Sequence, residues 1–199
     1  MSDKKTSNKR DMADSVIKNH MIWSMGAGFI PVPIADLFAV SAIQLDMIRQ
    51  MCKIYDIDFK ETEGKAVITT LTGSGLARLG ARAVKFIPGI GTILGGVTMA
   101  VLSGGSTYAL GEVFKKHFET GGTFLDFDPG RLKKYYNEKF EKGKEVANKI
   151  QKKQKETEKG APAVNDSVTQ LTNLAKMKED GILTQEEFET MKRKIIEDS

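Results

Sequence analysis

The feature that most constrains this chain of 199 residues is a run of 26, Phe86 to Gly111, without a charged side chain. At a rise of about 1.5 Å per residue, a helix of that length exceeds a hydrocarbon core of about 30 Å, so it has to be buried in lipid or in protein. Composition weakens the lipid choice, because Pro88, seven glycines, three threonines and two serines make up 13 of the 26 positions. The apolar driving force is then about half that of a leucine-rich span. Spacing strengthens it again. Gly91 with Gly95, and Gly96 with Ala100 and Gly104, leave helix faces almost free of side chains. Such faces let a second helix approach to backbone distance, as membrane helices do. These five residues are the candidate packing positions in a bilayer, and a glycine-rich core helix of a soluble protein is the alternative.

The rest of the chain reads as helices. Residues 1–15 carry Lys4, Lys5, Lys9 and Arg10 with no apolar period until Val16, which predicts a flexible arm before the first helix. Pro31-Val32-Pro33 breaks that helix and starts the next, with Asp36 in the first turn where the helix dipole favours a carboxylate. Phe38, Leu45, Ile48, Cys52 and Tyr55 then form one apolar stripe, with Asp46, Arg49, Gln50 and Lys53 assigned to the polar side and Gln44 to an interface. Asp56 to Lys65 reads as a charged turn. The threonine-rich stretch from Ala66 to Gly80 is assigned to a helix because no other strand candidate exists for it to pair with. Asp128-Pro129 supplies an N-cap and N1 pair for a helix whose stripe is Leu132, Tyr136, Phe140, Ala147 and Ile150. The fold class is therefore all-α: a glycine-rich hydrophobic helical domain over 16–120, a basic amphipathic helix over 121–159, a linker at 160–166 and a helical hairpin over 167–199.

Charge is unevenly placed. The net +4 of the chain hides a net +7 over residues 131–155, where ten lysines and arginines face three glutamates. Lys133, Lys134, Lys142, Lys144, Lys152 and Lys153 are the candidate surface for anionic lipid, since clustered lysines are drawn to polyanions. Lysine predominates over arginine and no aromatic residue interleaves the basic face, which argues against specific nucleic-acid reading. In the hairpin, Leu171, Leu174, Met177, Phe188, Met191 and Ile195 recur at helical spacing around Gly181, with Thr184 and Glu187 as a capping box. Two short amphipathic helices bury too little area to stand alone, so these residues predict a homo-oligomer or a protein partner.

The inventory for catalysis is thin. Cys52 is the single cysteine, and His20 and His117 are the only histidines, with no metal-ligand spacing among them. Ser15-Val16-Ile17-Lys18 matches S-x-x-K by letters alone, without its companion motifs. Gly75 to Gly80 has the glycine interval of a phosphate loop, but Ala81 stands where lysine is needed. A calcium loop through Gly181 and Glu187 would put Lys176 and Lys178 where carboxylates belong. No catalytic residue, cofactor or metal site is expected.

Three motifs in order carry a resemblance: Phe29-Ile30-Pro31-Val32-Pro33-Ile34-Ala35-Asp36; Gln44-Leu45-Asp46-Met47-Ile48 with Tyr55; and Ile87-Pro88-Gly89-Ile90-Gly91-Thr92 followed by Thr107-Tyr108-Ala109-Leu110-Gly111. Over residues 16–120 the chain resembles the YcjF-like family, a bacterial domain of unknown function. The resemblance implies placement at the inner membrane, mostly facing the cytoplasm, and a separate GTPase as partner, since this chain has no GTPase domain of its own. Residues 167–197 resemble the short C-terminal (SHOCT) domain, which implies oligomerisation or partner binding. Together these readings predict a non-enzymatic, membrane-associated scaffold; a soluble helical adaptor and a pore-former inserting a glycine-rich hairpin are the alternatives.

Overall fold

The computed structural model describes residues 2–27, 33–83, 99–158, 166–179, 181 and 183–197. These form seven α-helices: α1 (Ser2–Ala27), α2 (Pro33–Tyr55), α3 (Glu61–Ala83), α4 (Met99–Glu119), α5 (Pro129–Glu158), α6 (Asp166–Glu179) and α7 (Gln185–Glu197). Among the described residues there is no strand, so the all-α class stands. The helix starts that the sequence announces are made as expected. Asp128 Oδ1 accepts the amides of Gly130 at 2.9 Å and Arg131 at 3.2 Å, satisfying donors that the first turn of α5 leaves free. The Thr184 hydroxyl accepts the Glu187 amide at 3.2 Å, and Glu187 accepts the Thr184 amide at 2.8 Å, which closes the capping box of α7.

Helices α1, α2, α4 and α5 form the bundle that positions everything else. Lys9 pairs with Asp56 at 2.8 Å and His20 with Asp46 at 3.0 Å, which sets α1 antiparallel to α2. Arg10 pairs with Glu119 at 2.8 Å while Met25 lies against Gly104, so α1 is also antiparallel to α4. Lys139 reaches Glu112 at 3.3 Å and Ala147 abuts Gly104, which runs α5 back along α4. One end of the bundle therefore gathers Ala27, Pro33, Met99 and the last turns of α5; the other gathers Tyr55, Glu119 and the 120–128 connection. Ile17, Met47, Ile48, Met51, Leu71 and Phe114 fill the main core, all at most 2% exposed.

Three sequence expectations change here. The arm expected at 1–15 is the first half of α1: Ala13 is fully buried, and Lys9 and Arg10 tie the helix to Asp56 and Glu119. Charge, not apolar period, holds that half in place, and so the stripe does not reveal it. The charged turn is shorter than expected, because α3 begins at Glu61, where Glu61 and Glu63 suit the positive end of the helix dipole. Of the charge-free run, residues 86–98 lie outside the described residues, and 99–111 open α4 with Val101, Ala109 and Leu110 buried in protein. Among the described residues, no helix is long and apolar enough to cross a membrane.

Candidate functional site

The candidate lysines do not form one face. Lys134, Lys142, Lys152 and Lys153 are exposed, whereas Lys133 and Lys144 are half-buried. Lys144 Nζ lies 2.9 Å from Glu141 and 5.3 Å from the Phe140 ring, so its stem and charge are used within the helix. Lys139 is drawn inward to Glu112, which also pairs with Lys115. Exposed Lys149 was not among the candidates.

Of the candidate packing residues, Gly91, Gly95 and Gly96 lie outside the described residues. Ala100 and Gly104 face α1 and α5: Ala100 packs with Met21, Met25 and Ala147, and a Cβ on Gly104 would stand 2.6 Å from Met25 Cγ. The tightest backbone approach uses a pair that the four-residue spacing did not reveal. A Cβ on Gly143 would stand 2.8 Å from the carbonyl oxygen of Gly105 and 3.0 Å from its Cα, so α4 and α5 touch backbone to backbone there.

The hairpin finds its neighbour within the chain. Leu174, Met177, Met191 and Ile195 are buried together with Ile43 of α2, and Leu171 and Phe188 are partly buried beside Trp23 and Val40. Val168 and Ile196, at 51% and 57% exposed, are left outward.

A polar interior is the part that the sequence did not disclose. Asp46, assigned to the polar side of α2, is 9% exposed and accepts bonds from Gln50 at 2.7 Å and Arg49 at 3.4 Å besides its contact with His20. Gln44, assigned to an interface, is buried and donates to Ser106 and Thr107 at 3.2 Å each; Ser106 continues to the Tyr136 hydroxyl at 2.9 Å. A polar residue buried with its partners satisfied costs little, and its partners here come from other helices, which helical spacing cannot show. Burial works against ionised Asp46, but the hydrogen bonds from His20 and Gln50 and the charges of His20 and Arg49 outweigh it, holding the carboxyl below the usual aspartate range.

The histidines and Ser15 are engaged in contacts within the bundle and its turns. His20 has both ring nitrogens engaged, Nδ1 on the Val16 carbonyl at 2.8 Å and Nε2 on Asp46. His117 Nε2 sits 2.8 Å from the Thr123 carbonyl, and the Ser15 hydroxyl donates to the Asp11 carbonyl. An open groove of about 720 Å³ runs between α1 and α2, lined by Asp11, Met12, Ser15, Asp46, Gln50 and Lys53 among others, with no nucleophile and base paired in it. Cys52 is buried, and burial first, then the charge of Asp58, pushes its thiol up to about 12. Native protein near pH 8 should therefore leave a thiol reagent unconsumed while denatured protein consumes it at once. Stoichiometric reaction of the native chain would show instead that α2 opens readily.

A relative from Magnetospirillum gryphiswaldense, Magnetosome membrane protein 22, is 38% identical over 163 residues, covering 79% of this chain and 81% of the relative. No solved structure matches. The short C-terminal domain matches residues 169–196, as expected for the hairpin. The family model of the domain of unknown function DUF697 matches residues 1–145, so the domain takes in the N-terminal half of α1 and most of α5. The order foreseen, a domain of unknown function followed by a short C-terminal domain, is the order found: the chain belongs to the DUF697 family, with a SHOCT hairpin appended.

Proposed function

We propose that this chain is a non-enzymatic, membrane-associated protein whose bundle docks on an anionic membrane surface and whose C-terminal hairpin serves protein contacts. The observation that carries the reading is likeness along most of the chain to a protein named as a membrane protein. The exposed lysines of α5 supply a means, because each basic residue near an anionic leaflet contributes about 1 kcal/mol. Docking from the side of the membrane fits the described helices, whose apolar faces are spent on one another. The non-enzymatic part rests on the engaged nitrogens of His20 and the raised thiol of Cys52. Since the hairpin buries Leu174, Met177, Met191 and Ile195 within its own chain, a partner would meet Val168 and Ile196.

Flotation of the full-length protein with vesicles tests this. Binding to phosphatidylglycerol-containing vesicles is expected at low ionic strength, little binding to phosphatidylcholine alone, and detachment as salt approaches 1 M, where the Debye length falls to about 3 Å. Protein that stays unbound on anionic vesicles at low salt would sink the membrane reading and leave a soluble helical adaptor.

A further inference from the structure

Two exposed apolar side chains mark opposite ends of the bundle. Met99, 48% exposed, opens α4 at the end where α1 finishes and α2 begins; Leu125, 86% exposed, tips the 120–128 connection at the other. Their charged surroundings differ. Beside Met99 run the last turns of α5: Ala147 and Ile150 pack with Ala100 and Met25, which brings exposed Lys149 and Lys152 to that level, with Lys153 next to them. Leu125 stands between Thr123 and Asp126, which bond to each other, and exposed Asp126 and Asp128 flank it, with Arg131 and Lys134 behind.

The exposed side of α5 between the two ends settles how a flat anionic surface could meet the protein. Over residues 131–145 exposed Arg131, Lys134 and Lys142 are balanced by exposed Glu138, Glu141 and Glu145, so a bundle lying lengthwise would offer anionic headgroups no net charge along that stretch. An end-on approach at Leu125 brings Asp126 and Asp128 first. An approach at Met99 brings lysines and an apolar side chain: residues 146–153 hold Lys149, Lys152 and Lys153 and no carboxylate, and the next acidic residues of α5 are Glu156 and Glu158 in its final turn. The hairpin covers the neighbouring flank over Trp23 and Ile43.

We propose that the bundle meets the anionic lipid surface end-on, through Met99 and the Lys149 and Lys152 turns of α5. This rests on the membrane reading above and names the surface that it uses. The lysines at the start of α5 then face away from lipid and are free for other roles.

The test uses the full chain and vesicles of phosphatidylcholine with phosphatidylglycerol. Lys149→Gln with Lys152→Gln should weaken vesicle binding roughly thirtyfold, the fold-change for two basic residues of about 1 kcal/mol each. Arg131→Gln with Lys134→Gln removes the same charge at the other end and should change binding less than threefold, as a rough bound from distance beyond a Debye length. Because Cys52 is buried with a raised thiol, a cysteine at a surface position can be labelled alone. An environment-sensitive dye on the Met99→Cys protein should shift to the blue with vesicles, and the same dye on the Leu125→Cys protein should not. If the wild type binds but the Arg131 and Lys134 variant loses as much affinity, or the Leu125 probe responds, end-on docking at Met99 is wrong and the membrane reading survives. If the wild type fails to bind, both fall.

Discussion

Asp46→Ala should cost the fold about 3–5 kcal/mol, the range for removing one partner of a buried ionic pair and leaving the other unpaired. His20 and Asp46 have side chains only 1% and 12% exposed, and the alanine would strand His20 Nε2 and the Gln50 amide together. His20→Leu combined with Asp46→Leu should recover part of the loss, since it removes both polar partners and fills their volume. Arg49→Ala offers a control, because its contact to Asp46 is long and its side chain 38% exposed, so a change under about 1 kcal/mol is expected. Urea melts give all four values. An Asp46→Ala protein as stable as wild type would mean that the buried pair of His20 and Asp46 does not hold α1 against α2.

The same pair predicts a pH dependence with a definite sign. A carboxyl held below its ordinary value of 3.8 binds its proton less readily in the native state than in the unfolded chain. Its contribution is therefore fully present above the unfolded value and is lost as pH falls through the native one. The stability gap between wild type and Asp46→Asn should close as pH falls from about 5 to below about 4. A gap that widens on acidification would mean that burial, not the His20 and Gln50 hydrogen bonds, controls the group.

How much of this was legible in the sequence depends on which force holds each part. Helices closed by local chemistry could be read: Asp128 with Gly130, and Thr184 with Glu187, act within three residues of one another, and Gly181 adopts its positive φ of 72° where the hairpin turns. The apolar stripe of α5 was legible too, because Tyr136 and Ala147 recur at helical period and both are buried. What escaped was held by partners far away in sequence. Lys9 and Asp56 are 47 residues apart, Arg10 and Glu119 are 109, and each looks like a solvated charge until the helices are placed side by side. The buried face of α1 runs Ala13, Ile17, His20, Met21, Ser24, Met25, and its small and polar members dilute the stripe. The lysine surface failed differently: counting charge along α5 cannot tell Lys139, turned inward to Glu112, from Lys149, which stays outside.

Gly143→Val should lower the melting temperature by about 6–12 °C, from an overpacking cost of about 3 kcal/mol and a shift of about 2–4 °C per kcal/mol for a chain of this size. The cost is set by what the new atoms meet. At Gly143 the nearest atoms are the carbonyl oxygen and Cα of Gly105, and neither can turn aside as a side chain can. Either α5 lifts away from α4, opening the contacts of Tyr136 and Ala147, or the helix distorts. Valine has a better helix propensity than glycine by a few tenths of a kcal/mol, which offsets only a small part. Gly104→Ala tests the reasoning from the other side. There the first atoms met are Cγ and Sδ of Met25, the middle of an unbranched side chain that can change rotamer where backbone cannot, and alanine gains about 1 kcal/mol of propensity. Its melting temperature should stay within a few degrees of wild type, as a rough expectation from those opposing terms. Circular dichroism melts of both variants decide the matter: equal losses would mean that small residues in this bundle are interchangeable filler, whereas a large loss at Gly143 alone would establish backbone contact between α4 and α5 as the joint on which the basic helix is carried.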